Sequence, residues 1–377
     1  MIDDSSYART RRTLFSSARL LSVLNLDGPL LLGLGALAIY GLIILYSASG
    51  QSVDTIVRTV MRLALGTAAM LALTHASPNV LRRLAPWLYL IGVLLLLVVA
   101  VSGVIGKGAQ RWLNLGLFKF QPSEIMKLAV PMLAAWYLHD RPLPPTWSSL
   151  LMLGLIIFLP TALVAVEPDL GTAALIAASG ALLVLMAGLS MRIIVMVLLG
   201  TVAAALLGWS SLHEYQRTRV LTFLNPQTDP LGAGYHIIQS QIALGSGGLF
   251  GKGWMNGSQA QLEFLPERST DFIFAVVGEE FGLIGLIVLL ALYLFIVARS
   301  VWLAMQTNDT FSRLLALSLG LTFFVYVFIN AGMVSGLLPV VGVPLPLVSY
   351  GGTSVVTLLA GFGILMGLYS HRKLIGS

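Results

Sequence analysis

The chain has 377 residues, of which 57% are hydrophobic and only 10% are Asp, Glu, Lys or Arg, whereas a soluble domain carries about 25% charged residues. This composition excludes an ordinary soluble domain, and the absence of cysteine excludes disulfides, thiolate metal sites and a cysteine nucleophile. The net charge of +6 comes from basic residues scattered over loops, which argues against a nucleic-acid partner and favours contacts with anionic membrane lipid.

Ten apolar segments follow one another along the chain, and each is near the length that crosses about 30 Å of hydrocarbon. They predict an all-α, polytopic membrane protein with about ten transmembrane helices. The first segment exceeds the apolar core of a signal peptide, about 7–15 residues, so we interpret it as a retained span. The predicted spans are 29–47, 60–76, 85–105, 124–138, 148–166, 170–187, 191–209, 272–298, 312–332 and 351–370.

The distribution of Lys and Arg predicts that both termini are cytoplasmic, because basic residues concentrate in cytoplasmic loops. With ten spans, the basic residues of both tails and of alternate loops fall on one side. They are Arg9, Arg11, Arg12, Arg19, Arg82, Arg83, Arg141, Arg192, Arg299, Arg313, Arg372 and Lys373. We therefore divide the chain into a cytoplasmic N-terminal tail (1–28), one membrane domain (29–370) and a cytoplasmic C-terminal tail (371–377).

Residues 210–271 form a long extracytoplasmic loop between spans seven and eight in this topology. Loops of this length are usually functional or disordered, and here the composition favours order. Tyr235, Ile238 and Ile242 recur at helical spacing, which predicts an amphipathic helix in or near the membrane interface.

Ionisable side chains collect at the extracytoplasmic ends of the spans, where charges are costly and usually mark sites, pathways or ion pairs. Glu124 and Lys127 begin the fourth span three residues apart, so they share a helix face and can pair. Two interpretations are open. Either Glu124 is a capping acid behind the N-cap Ser123, with a structural ion pair, or the pair shapes a polar cavity and offers its cation to a ligand. Arg111 lies on the preceding outer loop.

Two further stretches combine turn residues with charge. In VEPDLGT, Asp169 either caps the sixth span or, with Glu167, binds a cation. The glycine-rich run GSGGLFGKG (245–253) lacks two residues that a phosphate-binding loop requires. We interpret it as a flexible backbone that carries Lys252 near an anionic headgroup.

Asp271 stands where the polar stretch FLPERST (264–270) meets the apolar eighth span. Two roles are open for it. It is either the N-cap of that span, since Asp is a good cap, or a carboxylate held at the membrane surface for chemistry.

Five stretches together resemble the SEDS proteins (shape, elongation, division and sporulation), and within them the RodA branch. They cover most of the chain from about 105 to 354. The stretches are GAQRWLNLGLFKFQPSEIMKLAVP, VEPDLGTA, NPQTDPLGAGYHIIQSQIALGSGGLFGKGW, LEFLPERSTDFIFAVVGEEFGLIG and LPVVGVPLPLVSYGGTS.

The resemblance implies a peptidoglycan glycosyltransferase that polymerises lipid II at the outer face of the bacterial cytoplasmic (inner) membrane during cell elongation. It implies a class B penicillin-binding protein and other elongation-complex membrane proteins as partners, and dependence on a divalent cation, Mg²⁺ or Mn²⁺. The family's essential acid corresponds to Asp271, and its paired acid and lysine correspond to Glu124 and Lys127.

Glycan polymerisation needs a base for the acceptor hydroxyl and positive charge for the leaving pyrophosphate. Asp271 is the predicted base, and it and Asp169 are the candidate ligands for a metal whose site the sequence leaves unknown. The predicted supporting or substrate-binding residues are Glu124, Lys127, Arg111, Asp169, Arg217, Arg219 and Lys252. Two alternatives stay open: a flippase for the lipid-linked precursor, although no inverted repeat is evident, and a non-catalytic scaffold for a penicillin-binding protein.

Overall fold

The structure is a computed structural model that describes residues 24–106, 109–114, 119–208, 217, 221–228, 232–262 and 264–371. The predicted tails, 1–28 and 371–377, lie almost wholly outside these residues, and so does Arg219.

Ten long helices occupy the positions of the ten predicted spans. They are α1 (Gly28–Ala48), α2 (Val53–Leu73), α3 (Pro78–Ser102), α4 (Pro122–Leu138), α5 (Trp147–Val166), α6 (Leu170–Met186), α7 (Met191–Gly208), α10 (Ile273–Met305), α11 (Thr310–Val334) and α12 (Ser354–His371). Within the described residues, seven helices are long and apolar enough to cross a membrane by length and composition: α1, α2, α3, α5, α10, α11 and α12. The prediction of a mostly helical, polytopic fold is confirmed.

Between α7 and α10 lie a 3-10 turn (Pro226–Thr228) and the shorter helices α8 (Ala233–Ser246) and α9 (Ser258–Gln261). The predicted amphipathic helix corresponds to α8, and the face that packs against the rest of the protein is not the predicted apolar one. Ile237, Ser240 and Ala243 are buried, whereas Ile242 is 45% exposed. Ser240 Oγ donates to the Val334 carbonyl of α11 at 2.8 Å, so the protein interior, rather than the most apolar stripe, selects the packed face.

A small antiparallel sheet, which the sequence did not predict, joins α3 to α4. Its strands are β1 (Val104–Gly106), β2 (Ala109–Asn114) and β3 (Lys119–Phe120), in the order β1-β2-β3. Ala109 faces Gly106, and Asn114 faces Lys119. The sheet matters for function because β2 carries Arg111 and Trp112.

Local signals explain where the helices begin. The Asp27 side chain accepts from Leu30 N at 2.9 Å and caps α1. The predicted cap Ser123 is wrong, because Pro122 takes the first helical position and makes Gln121 the N-cap of α4. Proline suits that position since it lacks the N–H that a helix start would leave unpaired.

Helix packing in the core relies on aromatic residues and on glycine. Phe323 of α11 contacts Tyr293 of α10 and Phe362 of α12, with ring centroids 5.6 and 5.0 Å apart. Gly363 and Gly367 of α12 lie against the end of α2, so close that a Cβ on Gly363 would come within 2.4 Å of a backbone oxygen. Small residues allow such close helix approach in membranes.

Candidate active site

A cavity of about 530 Å³ lies at the end of the bundle where α4, α6 and α12 begin. Its volume is in the range of small-molecule sites, about 300–1,000 Å³. Five predicted site residues line it together: Arg111, Glu124, Lys127, Asp169 and Asp271. They come from a strand, two helix starts and the residues that precede α10, so the fold assembles a site that is dispersed in the sequence.

Asp271 precedes α10 without capping it. Phe272 is the N-cap, and α10 has no side-chain cap hydrogen bond, so the capping interpretation is wrong. The Asp271 carboxylate lies beside Gly342, where an added Cβ would be 3.5 Å from Oδ2. Gly342 has φ +73° and also lines the cavity. Asp271 therefore does not serve to start this helix.

The predicted pairing of Glu124 with Lys127 is confirmed. Lys127 Nζ lies 2.7 Å from Glu124 Oε1, and both side chains are buried. Lys127 Nζ also lies 5.2 Å from the centre of the Tyr326 ring. Glu124 Oε2 is buried without a hydrogen-bond partner in the described part of the chain, so the pair leaves one buried acceptor unsatisfied.

Asp169 links the sheet to α6. Its Oδ1 accepts from Thr172 N at 3.2 Å, which confirms the capping role. Its Oδ2 accepts from Gln121 Nε2 at 3.0 Å and lies 3.3 Å from Arg111 Nη1. Protein donors thus already occupy both oxygens of Asp169.

Glu167 lies in the turn between α5 and α6 and is buried. Burial raises the pKa of this carboxyl to about 8, and the nearby Asp169 charge acts in the same direction. A carboxyl with that pKa holds its proton near neutral pH and is a poor cation ligand.

The acids that the structure describes around the cavity do not form a set of ligands for a resident divalent cation. Across the described ranges, no group of three or more His, Cys, Asp or Glu side chains converges on one point. Asp169 is engaged by Arg111, Glu124 by Lys127, and Glu167 favours its neutral form. Mg²⁺ prefers several oxygen ligands in near-octahedral geometry, so these side chains do not fit a resident ion.

Two predicted cations lie away from the cavity lining. Lys252 Nζ is 2.7 Å from Glu279 Oε1 and 2.8 Å from Ser258 Oγ. Arg217 is half-buried and does not line the cavity. Lys252 lies there because it is the counterion of Glu279, which is fully buried.

The glycine-rich run packs against an interruption in α10. At Gly282 the backbone leaves the helical conformation, with φ +63°. Four hydrogen bonds between the run and α10 replace the missing helical ones: Lys252 N to Glu279 O, Gly253 N to Glu280 O, Leu283 N to Gly248 O and Ile284 N to Leu249 O, at 2.9–3.2 Å. A Cβ on Gly251 would come within 2.2 Å of Glu280 O. The run is therefore a fitted packing element, and the flexible-backbone interpretation is wrong.

Sequence reasoning missed Arg62 as a site residue. Arg62, on α2, lines the cavity and donates to Gly351 O at 2.9 Å and to Tyr350 Oη at 3.2 Å. Its guanidinium also lies over the Tyr350 ring, 4.5 Å from the centroid. The available signal was an arginine inside an apolar span, which usually faces a polar cavity.

Comparison with known proteins confirms the resemblance. The profile of the family of cell cycle proteins FtsW, RodA and SpoVE matches residues 29–374. The peptidoglycan glycosyltransferase MrdB of Escherichia coli is 51% identical over 352 residues, which cover 93% of this chain and 95% of the relative. The probable peptidoglycan glycosyltransferase FtsW of Trichlorobacter lovleyi is 35% identical over 369 residues, covering 92% and 94% of the two chains.

Solved structures share the fold. A chain of a peptidoglycan synthase complex, studied for its coordination of polymerization and crosslinking, has a TM-score of 0.81 and 31% identity, covering 92% of this chain and 98% of that one. The rod shape determining protein RodA of Thermus thermophilus has a TM-score of 0.70 and 31% identity, covering 92% and 97%.

Proposed function

This chain belongs to the family of cell cycle proteins FtsW, RodA and SpoVE, and we propose on that premise that it is a peptidoglycan glycosyltransferase of cell elongation that polymerises lipid II into glycan strands. Two relatives carry the glycosyltransferase activity in their names. The observation that carries the proposal is the presence of Asp271, which caps no helix, in one cavity with Arg62, Arg111 and Lys127.

Asp271 acts as the general base. It takes the proton of the acceptor sugar hydroxyl, and the oxygen of that hydroxyl bonds to the anomeric carbon of the donor. The bond from that carbon to the lipid-linked pyrophosphate breaks, and its electron pair leaves with the pyrophosphate. A positioned base typically contributes about 10²–10⁴ in rate.

The remaining cavity groups suit the leaving pyrophosphate. Arg62, Arg111 and Lys127 supply positive charge at the lining. Three helices, α4, α6 and α12, begin at the cavity, and helix starts attract anions through their N–H groups and dipoles. Charge that develops on the departing oxygen is thereby stabilised.

The cavity faces the outside of the bacterial cytoplasmic membrane in this proposal, and both termini are cytoplasmic. The helix ends opposite the cavity carry Arg82, Arg83, Arg141 and Arg313, as expected for the cytoplasmic side. Reporter fusions after residue 141 should read cytoplasm, and fusions within 225–228 should read outside. An inside signal from 225–228 would place the cavity in the wrong compartment.

The proposed partner is a class B penicillin-binding protein, with other elongation-complex membrane proteins around it. Support comes from the similar chain found in a peptidoglycan synthase complex. Polymerisation should rise when the two proteins are purified together. If a partner without its transmembrane helix binds and stimulates equally well, the proposed contact within the membrane is wrong.

Asp271→Asn tests the chemistry, because Asn keeps the shape of Asp but cannot take a proton. Asp309→Asn is the matched control: Asp309 caps α11 by accepting from Ser312 N at 2.9 Å, and Asn also caps well. With lipid II and the partner, we expect polymer from Asp271→Asn to fall by about 10²–10⁴ and Asp309→Asn to stay active. Near-normal polymer from Asp271→Asn would refute the role.

The same samples separate the alternative functions. Exchange of lipid II between leaflets without any polymer from the wild-type chain would identify a flippase. Partner binding without either activity would identify a scaffold. Dependence on Mg²⁺ or Mn²⁺ is a separate proposal that does not require an ion held by these acids, and it is tested by measuring polymer before and after EDTA and after adding back each ion.

A further inference from the structure

Asn330, on α11, is fully buried and connects two parts of the cavity wall. Its Nδ2 donates to the Asp271 carbonyl at 2.8 Å and to the Val343 carbonyl at 2.7 Å. Both partners are acceptors, so the NH₂ side of the amide must point at them. Asn330 itself does not line the cavity, and any effect on chemistry must therefore pass through its partners.

Hydrogen bonds from other elements hold the backbone carbonyls of the three residues just before the N-cap of α10. Ser269 O accepts from Tyr350 N at 2.8 Å, and Thr270 O accepts from Ser349 Oγ. Asp271 O is the third consecutive carbonyl bonded to another element. Since Asp271 lies before the first residue of α10, these external bonds, rather than the helix, set where its carboxylate stands.

The oxygen of the Asn330 amide differs from its nitrogen in having no bond of this kind in the described part of the chain. Oδ1 is buried and has no hydrogen-bond partner among the described residues. An unsatisfied buried acceptor costs stability, so this cost offsets part of the stability that the two bonds donated by Nδ2 provide.

We propose that Asn330 is a positioning residue that holds Asp271 against the 340–344 segment at the distance its reaction requires. The inference rests on the proposed function of Asp271. Asparagine is the uncharged side chain of this length that carries two N–H donors on one nitrogen. Other uncharged side chains of similar size cannot make both bonds. Small displacements of a reacting group, near 1 Å, can cost about 10²-fold in rate.

The test uses the purified chain with its penicillin-binding protein partner and lipid II. Asn330→Leu has a similar size but no donor, and we expect kcat to fall about 10–100-fold while KM stays within about threefold. Ser318→Ala is the matched control, since Ser318 is also buried on α11 and donates to another helix, at Ser179 O, 2.6 Å away. It should lower the melting temperature without changing kcat per folded molecule by more than about twofold.

Asn330→Asp is the second variant, because it keeps the size and loses at least one of the two donors. Wild-type kcat in either folded Asn330 variant would overturn the proposal. So would failure of both variants to fold, since the residue would then serve stability. If Asp271→Asn is itself active, the proposed function fails first. If Asp271→Asn is inactive and the Asn330 variants are not impaired, only the positioning role fails.

Discussion

Replacing Lys127 with Met would leave the Glu124 carboxylate buried without its counterion. The two charges are 2.7 Å apart, and each side chain is only 7% exposed. At that distance and an effective dielectric constant of about 20, their attraction is about 6 kcal/mol, and much of it is offset by the cost of taking two charges out of water. When Lys127 is removed, the Glu124 charge is still kept out of water but no longer has an attracting partner. We therefore expect the free energy of unfolding to fall by about 3–5 kcal/mol.

Thermal unfolding in detergent and lipid II polymerisation together measure the effect. Lys127→Met should melt well below the wild type and make no polymer. The double variant Glu124→Gln/Lys127→Met should recover most of the melting temperature, because no buried charge is unpaired, and should stay inactive, because the cation is still missing. Arg58→Met is the control: Arg58 pairs with Asp54 at 2.8 Å, but the side chains are 56% and 69% exposed, and such pairs contribute about 0–1 kcal/mol.

Two results would refute this reasoning. If Lys127→Met melts like Arg58→Met, the buried pair contributes no more than an exposed one. If the double variant melts as low as Lys127→Met alone, the loss comes from packing of the lysine side chain rather than from an unpaired charge.

Three further outcomes are expected. Between pH 4.5 and about 8, Glu167 gives up its proton in the unfolded chain but keeps it in the folded chain. The melting temperature of the wild type should therefore fall across this window. In a pH series of melting curves, Glu167→Gln should remove the part of the fall that Glu167 causes. Gly251→Ala should lower the free energy of unfolding by about 1–3 kcal/mol, because the added Cβ meets Glu280 O and φ is +79°. Gly245→Ala is the control: nothing lies within 4 Å of its added Cβ, so it should leave the melting temperature unchanged or raise it. Arg62→Gln should raise KM for lipid II about 10–100-fold if its bond to the pyrophosphate contributes about 1.5–3 kcal/mol, and unchanged kinetics would remove Arg62 from the site.

Features that depend on neighbours in the sequence could be predicted. Glu124 and Lys127 pair as expected because residues three apart on a helix share a face, whatever the rest of the fold does. Asp169 caps α6 for a similarly local reason. The positions of the ten long helices also follow from local hydropathy. Ser123 is the local failure, since the pattern of polar residues did not show that Pro122 would take the first helical position.

Contacts between distant elements could not be predicted in this way. Arg62 meets Gly351, 289 positions along the chain, and nothing in α2 specifies that encounter. The sheet that presents Arg111 to Asp169 has strands of 3, 6 and 2 residues, too short for a clear alternation. The interruption of α10 was hidden because Gly282 stands in an apolar run, where glycine usually serves helix packing.

Glu279 of α10 and Asp271 just before α10 show how the structure separates chemistry from scaffolding. Glu279 is fully buried, and its carboxylate accepts from Lys252 Nζ, Ser258 Oγ, Gln259 N and Ala260 N at 2.7–3.3 Å. A carboxylate with four protein donors has no remaining direction for a substrate hydroxyl. Its role is to fix the segment that packs on the helix interruption. Asp271 instead reaches an open cavity from a backbone held by Ser349, Tyr350 and Asn330. The interruption and its packing fix one end of the short helical piece, and these bonds fix the other end, so Asp271 is held at the cavity where the proposed reaction needs a base.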